Sequence, residues 1–151
     1  MRRLVTGLLA VVGLVGGGAI AAPSPSAAAA PRIVGTWPNT SETATGGWIL
    51  WSNGKVRPAG EAPFYGDARG SGLNDFVGMI ASNDAGGAGY FLVTSTGKVR
   101  SFGPVCGSGG TLAPPAHLPT SGVVGLISRS DGYAGFEMVT STGSMFGFTC
   151  D

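Results

Sequence analysis

The chain has one histidine and two cysteines, and charged residues make up 11% of it. Each scarcity removes a class of chemistry. A Ser-His-Asp device would have to use His117, backed by Asp67, Asp75, Asp84 or Asp131, yet no serine stands in a nucleophile-elbow pattern. Cys106 and Cys150 have no Cys-x-x-Cys spacing and no flanking base, which argues against a reactive thiol. The single histidine lies in the proline-rich stretch Leu112 to Pro119, far from any metal-ligand cluster. Nine Lys and Arg against eight Asp and Glu provide no basic field for nucleic acid. Past the N-terminal segment, glycine-containing turns close each apolar run after about five residues, too few for a helix. No catalytic residue, cofactor or metal is therefore expected.

Glycine, by contrast, is abundant, with 28 residues, and much of it marks a threefold repeat. Gly89-Tyr90-Phe91-Leu92-Val93-Thr94-Ser95-Thr96-Gly97-Lys98-Val99-Arg100 has an earlier, shorter copy, Gly47-Trp48-Ile49-Leu50-Trp51-Ser52-Asn53-Gly54-Lys55-Val56-Arg57. A later copy runs from Gly135 to Phe146. A Val-Gly element precedes each copy, at Ile33-Val34-Gly35, Phe76-Val77-Gly78 and Val123-Val124-Gly125. The glycines of these elements are 43 and 47 residues apart. Such a period marks propellers, solenoids or arrays, in which each unit buries its apolar face on the next copy.

Residues 1–29 read as a secretory signal. Arg2 and Arg3 give a basic start, an apolar run follows, and small residues at Ala19-Ile20-Ala21 and Ala27-Ala28-Ala29 suit cleavage. An uncleaved anchor is the alternative, since Leu4 to Ala22 nearly reaches spanning length. Without Arg2 and Arg3 the balance is seven cations against eight acids, a net charge of −1. The remaining 30–151 form one domain, with repeats at about 33–75, 76–122 and 123–151.

Within a repeat, the Val-Gly element reads as a first strand. The run from Tyr90 to Thr94 reads as a second strand buried on both faces, and Ser95-Thr96-Gly97 as a hairpin turn. The run from Lys98 to Phe102 alternates and reads as a half-exposed third strand. The same pattern makes Trp48, aligned with Tyr90 and Phe136, a core residue, and Trp51, aligned with Val93 and Val139, another. A short fourth strand is expected near Phe64-Tyr65. The fold class is all-β, with three antiparallel units of propeller-blade type, the third truncated after its last strand. A β-trefoil-like threefold barrel is the architectural alternative.

The stretch Gly89 to Gly103 resembles the G-Y-W-L-V-A-S-D-G-G-V-F-x-F-G repeat of secreted actinobacterial proteins. Ala62-Pro63-Phe64-Tyr65-Gly66-Asp67, with Leu73-Asn74-Asp75-Phe76-Val77-Gly78-Met79, is similar to the link between repeats in that family. The resemblance spans nearly all of the chain after the signal. It implies propeller-type blades related in pattern to kelch and chromosome-condensation-regulator repeats, without shared catalytic residues. The departure is in copy number, because propellers typically have at least four blades.

Several residues stand out against that frame. Cys106 and Cys150, in a chain bound for an oxidising compartment, are expected to form a disulfide. Glu42, Asp84 and Asp131 each precede a second strand; they read as turn residues, with a repeated calcium or sugar contact as the alternative. Lys55 and Arg57 recur as Lys98 and Arg100, and the period of two places each pair on one strand face. They protect sheet edges or present a basic strip to an anionic wall polymer. Trp37 has no aromatic counterpart at Ile80 or Ile127 and is a candidate to stack on a sugar ring. The expected function is a secreted, non-catalytic binding or structural module of the envelope or extracellular space. Its partners would be a cell-wall glycan, a protein, or further copies of itself completing a propeller. A small hydrolase, or an inhibitor presenting the 103–119 loop, are the alternatives.

Overall fold

The computed structural model describes residues 29–39, 45–82, 89–107, 110–129, 131 and 134–151. All but the last residue of the expected signal (1–29), together with Glu42 and Asp84, lie outside the described residues. The described secondary structure is β throughout, in three antiparallel sheets of three, three and four strands. The first contains β1 (Ile33–Pro38), β2 (Gly46–Trp51) and β3 (Val56–Gly60). The middle sheet contains β4 (Phe76–Ala81), β5 (Tyr90–Thr94) and β6 (Val99–Phe102). The third contains β8 (Val123–Ser128), β9 (Gly135–Thr140) and β10 (Met145–Cys150), with β7 (Leu112–Ala113) added outside β10. The fourth strand of the third sheet thus comes from the link that precedes its repeat. No sheet closes into a barrel, which overturns the trefoil alternative: each three-stranded meander pairs within its own repeat, whereas a barrel needs ladders running between repeats.

Each Val-Gly element carries the same irregularity. The register of the first strand against the second shifts between Ile33 and Gly35, Phe76 and Gly78, and Val123 and Gly125. The valine between is the extra residue of a β-bulge, which turns the strand start toward the neighbouring unit. The hairpins that follow are also alike. Gly54, Gly97 and Gly143 have φ of 79°, 79° and 83°, a conformation that costs glycine little. Their N–H groups donate to the carbonyls of Trp51, Thr94 and Thr140 at 2.9, 3.0 and 2.9 Å.

These turns correct the alignment of the second strands. Trp51 is equivalent to Thr94 and Thr140, and Trp48 to Phe91 and Glu137, one position from the expected match. No residue is missing from the first copy, which begins one residue earlier than expected, at Gly46, the equivalent of Gly89 and Gly135. Trp51 is accordingly half-buried rather than core, with the Lys55 ammonium 4.8 Å from its ring centroid. Trp48 and Phe136 are buried as expected, but on different faces of their sheets.

The middle sheet is packed on both sides. Every residue of β5 is buried. Tyr90 and Leu92 join Trp48, Leu50, Val56, Phe76 and Met79 between the first and middle sheets. Phe91 and Val93 join Phe136, Met138 and Phe148 between the middle and third. Side chains of this size contribute ~1.5–3 kcal/mol each when fully buried, so one five-residue strand anchors both interfaces. β2 and β9 bury alternate residues only, because each outer sheet has a neighbour on one face. An aromatic pair marks each interface at the same place: Trp48 on Tyr90, with centroids 5.3 Å apart, and Phe91 on Phe136, at 4.7 Å. A backbone bond repeats too. Phe76 N–H donates to Ser52 C=O at 3.0 Å, and Val123 N–H to Ser95 C=O at 3.1 Å.

The links run along the outer sheet edges. No strand forms at Phe64-Tyr65, contrary to expectation. Two aromatic donors hold that link instead: Trp48 Nε1–H to Pro63 C=O at 2.7 Å, and the Tyr90 hydroxyl to Gly66 C=O. Spending backbone carbonyls on side chains leaves fewer for a ladder with β6. In the third sheet the corresponding link does form a strand, β7. There Cys106 is bonded to Cys150 at the end of β10, with Cα atoms 5.1 Å apart. The bond fastens the last strand to the link from the preceding repeat.

Candidate functional site

β4 packs against both β1 and β8, so the first strands of the three repeats lie in sequence order. Their C-terminal ends form a groove of about 290 Å³ lined by Trp37, Pro38, Met79, Ile80, Ala81, Leu126, Ile127 and Ser128. Trp37, Ile80 and Ile127 are equivalent residues two positions after each Val-Gly glycine, so the repeat itself generates this concavity. A Cβ on Gly35 would stand 2.9 Å from the Trp37 ring, so the glycine lets the indole lie down on its own strand. The ring also packs against the first core cluster, which fixes its orientation. Among the described residues the lining is apolar and aromatic, with one hydroxyl from Ser128 and no acid, base or thiol. Its chemistry is that of stacking and apolar contact.

The basic pairs occupy other places. Lys55 lies over Trp51, and Arg57 is exposed on β3. Lys98 and Arg100 line a second cavity of about 430 Å³ with Thr96, Leu118, Pro119 and Phe148. β3 and β6 are outer strands of separate sheets, so the two pairs are two separate charged places.

His117 is exposed in the link before β8. Of the acids that might have backed it, the three that are described have partners of their own. Asp67 pairs with Arg69 at 2.7 Å, Asp75 accepts from the Ser95 hydroxyl at 2.7 Å, and Asp131 accepts from Arg129 Nε at 2.9 Å. Asp131 is thus ion-paired with Arg129, which reaches over Gly147, whose Cβ would meet the guanidinium at 2.5 Å. Among the described residues, no three His, Cys, Asp or Glu side chains converge on a cation site. The 103–119 loop is braced by the disulfide and by β7, and Leu118 is its exposed apolar residue.

Among the described residues, Tyr90 has the one distinctly shifted ionisation. Burial pushes its hydroxyl from 10 up to about 12, and the nearby Asp67 carboxylate adds to the rise, outweighing the opposing backbone hydrogen bonds of Tyr65 and Gly66. The phenol is a structural donor at any ordinary pH.

Sequence reasoning singled out Trp37 but missed the rest of the groove. The alignment of Trp37 with Ile80 and Ile127 was the available signal. It was read as the absence of an aromatic counterpart rather than as three equivalent walls. Comparisons with protein-family models, with curated proteins and with solved structures find no match.

Proposed function

We propose that this protein is an exported, non-catalytic binding module of the secreted actinobacterial repeat type, and that it holds a glycan segment of the cell envelope in the groove across β1, β4 and β8. The observation that carries this reading is Trp37: a half-buried indole, backed by Gly35 and the core, in a groove whose described lining is apolar and aromatic. An oriented aromatic face suits the C–H face of a sugar ring, and the apolar walls from Ile80 and Ile127 exclude water around it.

Co-sedimentation with purified insoluble cell-wall glycan tests the reading. Trp37→Phe should keep binding, while Trp37→Leu, which retains apolar volume without the aromatic face, should weaken it about tenfold, the equivalent of ~1.4 kcal/mol. No binding by the parent, or equal binding by all three proteins, would contradict the proposal.

A further inference from the structure

Most of the large exposed apolar side chains stand at positions that are packed at the two internal interfaces. Val124 is 53% exposed, while its equivalents Val34 and Val77 pack on the two core clusters. Ile127 is 44% exposed, and Trp37 and Ile80 are packed. Met145 is 58% exposed, and its equivalents Val56 and Val99 are likewise packed. These three residues lie on the face of the third sheet that points away from the middle one. On the first sheet's free face, Ile33 is 58% exposed, where Phe76 and Val123 are buried. The two ends of the stack are thus complementary halves of an interface that the chain already makes twice.

The backbone repeats the message. Ser52 and Ser95 carbonyls each accept from the first residue of the next unit's first strand, Phe76 and Val123. Ser141 is the third member of that series, and among the described residues nothing donates to its carbonyl. Ile33, at the other end, is the equivalent of Phe76 and Val123. The charges also match: Lys55 and Arg57 flank the free face of the first sheet, and Glu137 stands on the free face of the third.

We infer that a second copy of this chain docks end to start on both free faces, giving a closed six-sheet ring with twofold symmetry. Val124, Ile127 and Met145 of one copy would cover Ile33 of the other, with Ser141 C=O receiving the Ile33 N–H, and the reverse at the second junction. Six units fall within the usual four to eight of propellers, whereas three copies would give nine. Two identical junctions close under a twofold axis and leave no growing end. At the aromatic-pair position the junction would set Glu137 against Gly47, in place of Trp48 on Tyr90. That exchange keeps each free face soluble and makes the junction weaker than the internal interfaces, so the ring should assemble by mass action.

Sedimentation velocity on the purified protein over a range of concentrations tests this. The expected result is a monomer converting to a dimer, with no larger species. Ile33→Asp alone and Met145→Asp alone should each abolish the dimer, and both substitutions fall on exposed side chains, so each variant should melt as the parent monomer does. Mixing the two variants should restore dimer in part, because one of the two junctions then joins an unaltered start to an unaltered end. A parent monomeric at every concentration would overturn the inference, as would open-ended polymers. A dimer lost with Ile33→Asp but retained with Met145→Asp would also overturn it, since that result signals like faces meeting. Neither residue lines the groove, so failure here is separable from failure of the glycan reading.

Discussion

Tyr90 gives two substitutions whose costs should differ by an amount the structure sets. Its ring is fully buried and touches Trp48, Tyr65 and Phe102, with centroids 5.3, 5.9 and 5.8 Å away. Its hydroxyl donates to the Gly66 carbonyl in the link between the first two repeats. Tyr90→Phe keeps the ring and removes that donor, leaving a carbonyl without its partner, a cost of ~1–3 kcal/mol. Tyr90→Ala also removes the ring and opens a cavity, and large aromatic-to-alanine changes in cores cost ~3–5 kcal/mol. Domains of this size have total stabilities of ~5–15 kcal/mol, so the alanine variant should be close to unfolded at room temperature. Urea titration followed by tryptophan fluorescence reads both, because Trp48 lies against the ring being altered. The midpoint should fall modestly for Tyr90→Phe and much further for Tyr90→Ala, with the slope unchanged. Equal losses for the two variants would refute the account of a ring packed between two sheets, and so would a parent-like Tyr90→Ala.

Three further outcomes follow from the same geometry. Because folding raises the Tyr90 pKa from 10 to about 12, the unfolded chain releases that proton first; this contribution to stability is intact below pH 10 and is lost as pH rises toward 12. Chemical unfolding across that range should show the decline, and Tyr90→Phe should reduce it. Reducing the bond between Cys106 and Cys150, which are 44 residues apart, should lower stability by ~4 kcal/mol on the chain-entropy model, seen as an earlier urea midpoint for the Cys106→Ser, Cys150→Ser double variant. Gly143→Ala meets no atom within 4 Å and should cost only the ~1–2 kcal/mol of a left-handed alanine. Gly97→Ala, its equivalent, would also drive a Cβ to 2.3 Å from the Pro119 carbonyl, and its melting temperature should be the lower of the two.

The repeat made most of this fold legible from sequence. Three apolar runs with glycine turns gave the strand order, and the full apolarity of Tyr90 to Thr94 marked a strand with neighbours on both sides. The fault in register arose because the first copy starts with two glycines, and similarity of side chains matched Gly47, in place of Gly46, to Gly89. Turn geometry decides it: Gly54, Gly97 and Gly143 must coincide, and Trp51 then falls with Thr94 and Thr140. Those threonines are buried between sheets, while Trp51, on the free face of the first sheet, is only half-buried. The fourth strand was misplaced because pairing of a link with a sheet edge depends on what else holds that link. Side-chain donors from Trp48 and Tyr90 take the carbonyls of Pro63 and Gly66, while Leu112 and Ala113 remain available to β10. The groove was invisible residue by residue, since it exists only where three equivalent strand ends meet. The free faces were hidden likewise, because Ile33, Val124 and Met145 look like core until their missing neighbours are counted.

The groove and the two free faces all depend on the stacking order, with the middle repeat between the other two. Amide hydrogen exchange resolved by residue measures that order directly. The account predicts that Tyr90, Phe91, Leu92, Val93 and Thr94 exchange most slowly, at rates set by global unfolding, while the amides of β2 and β9 exchange faster through opening of the end sheets. Exchange from β5 as fast as from β2 or β9, or slowest protection in an end sheet, would contradict it.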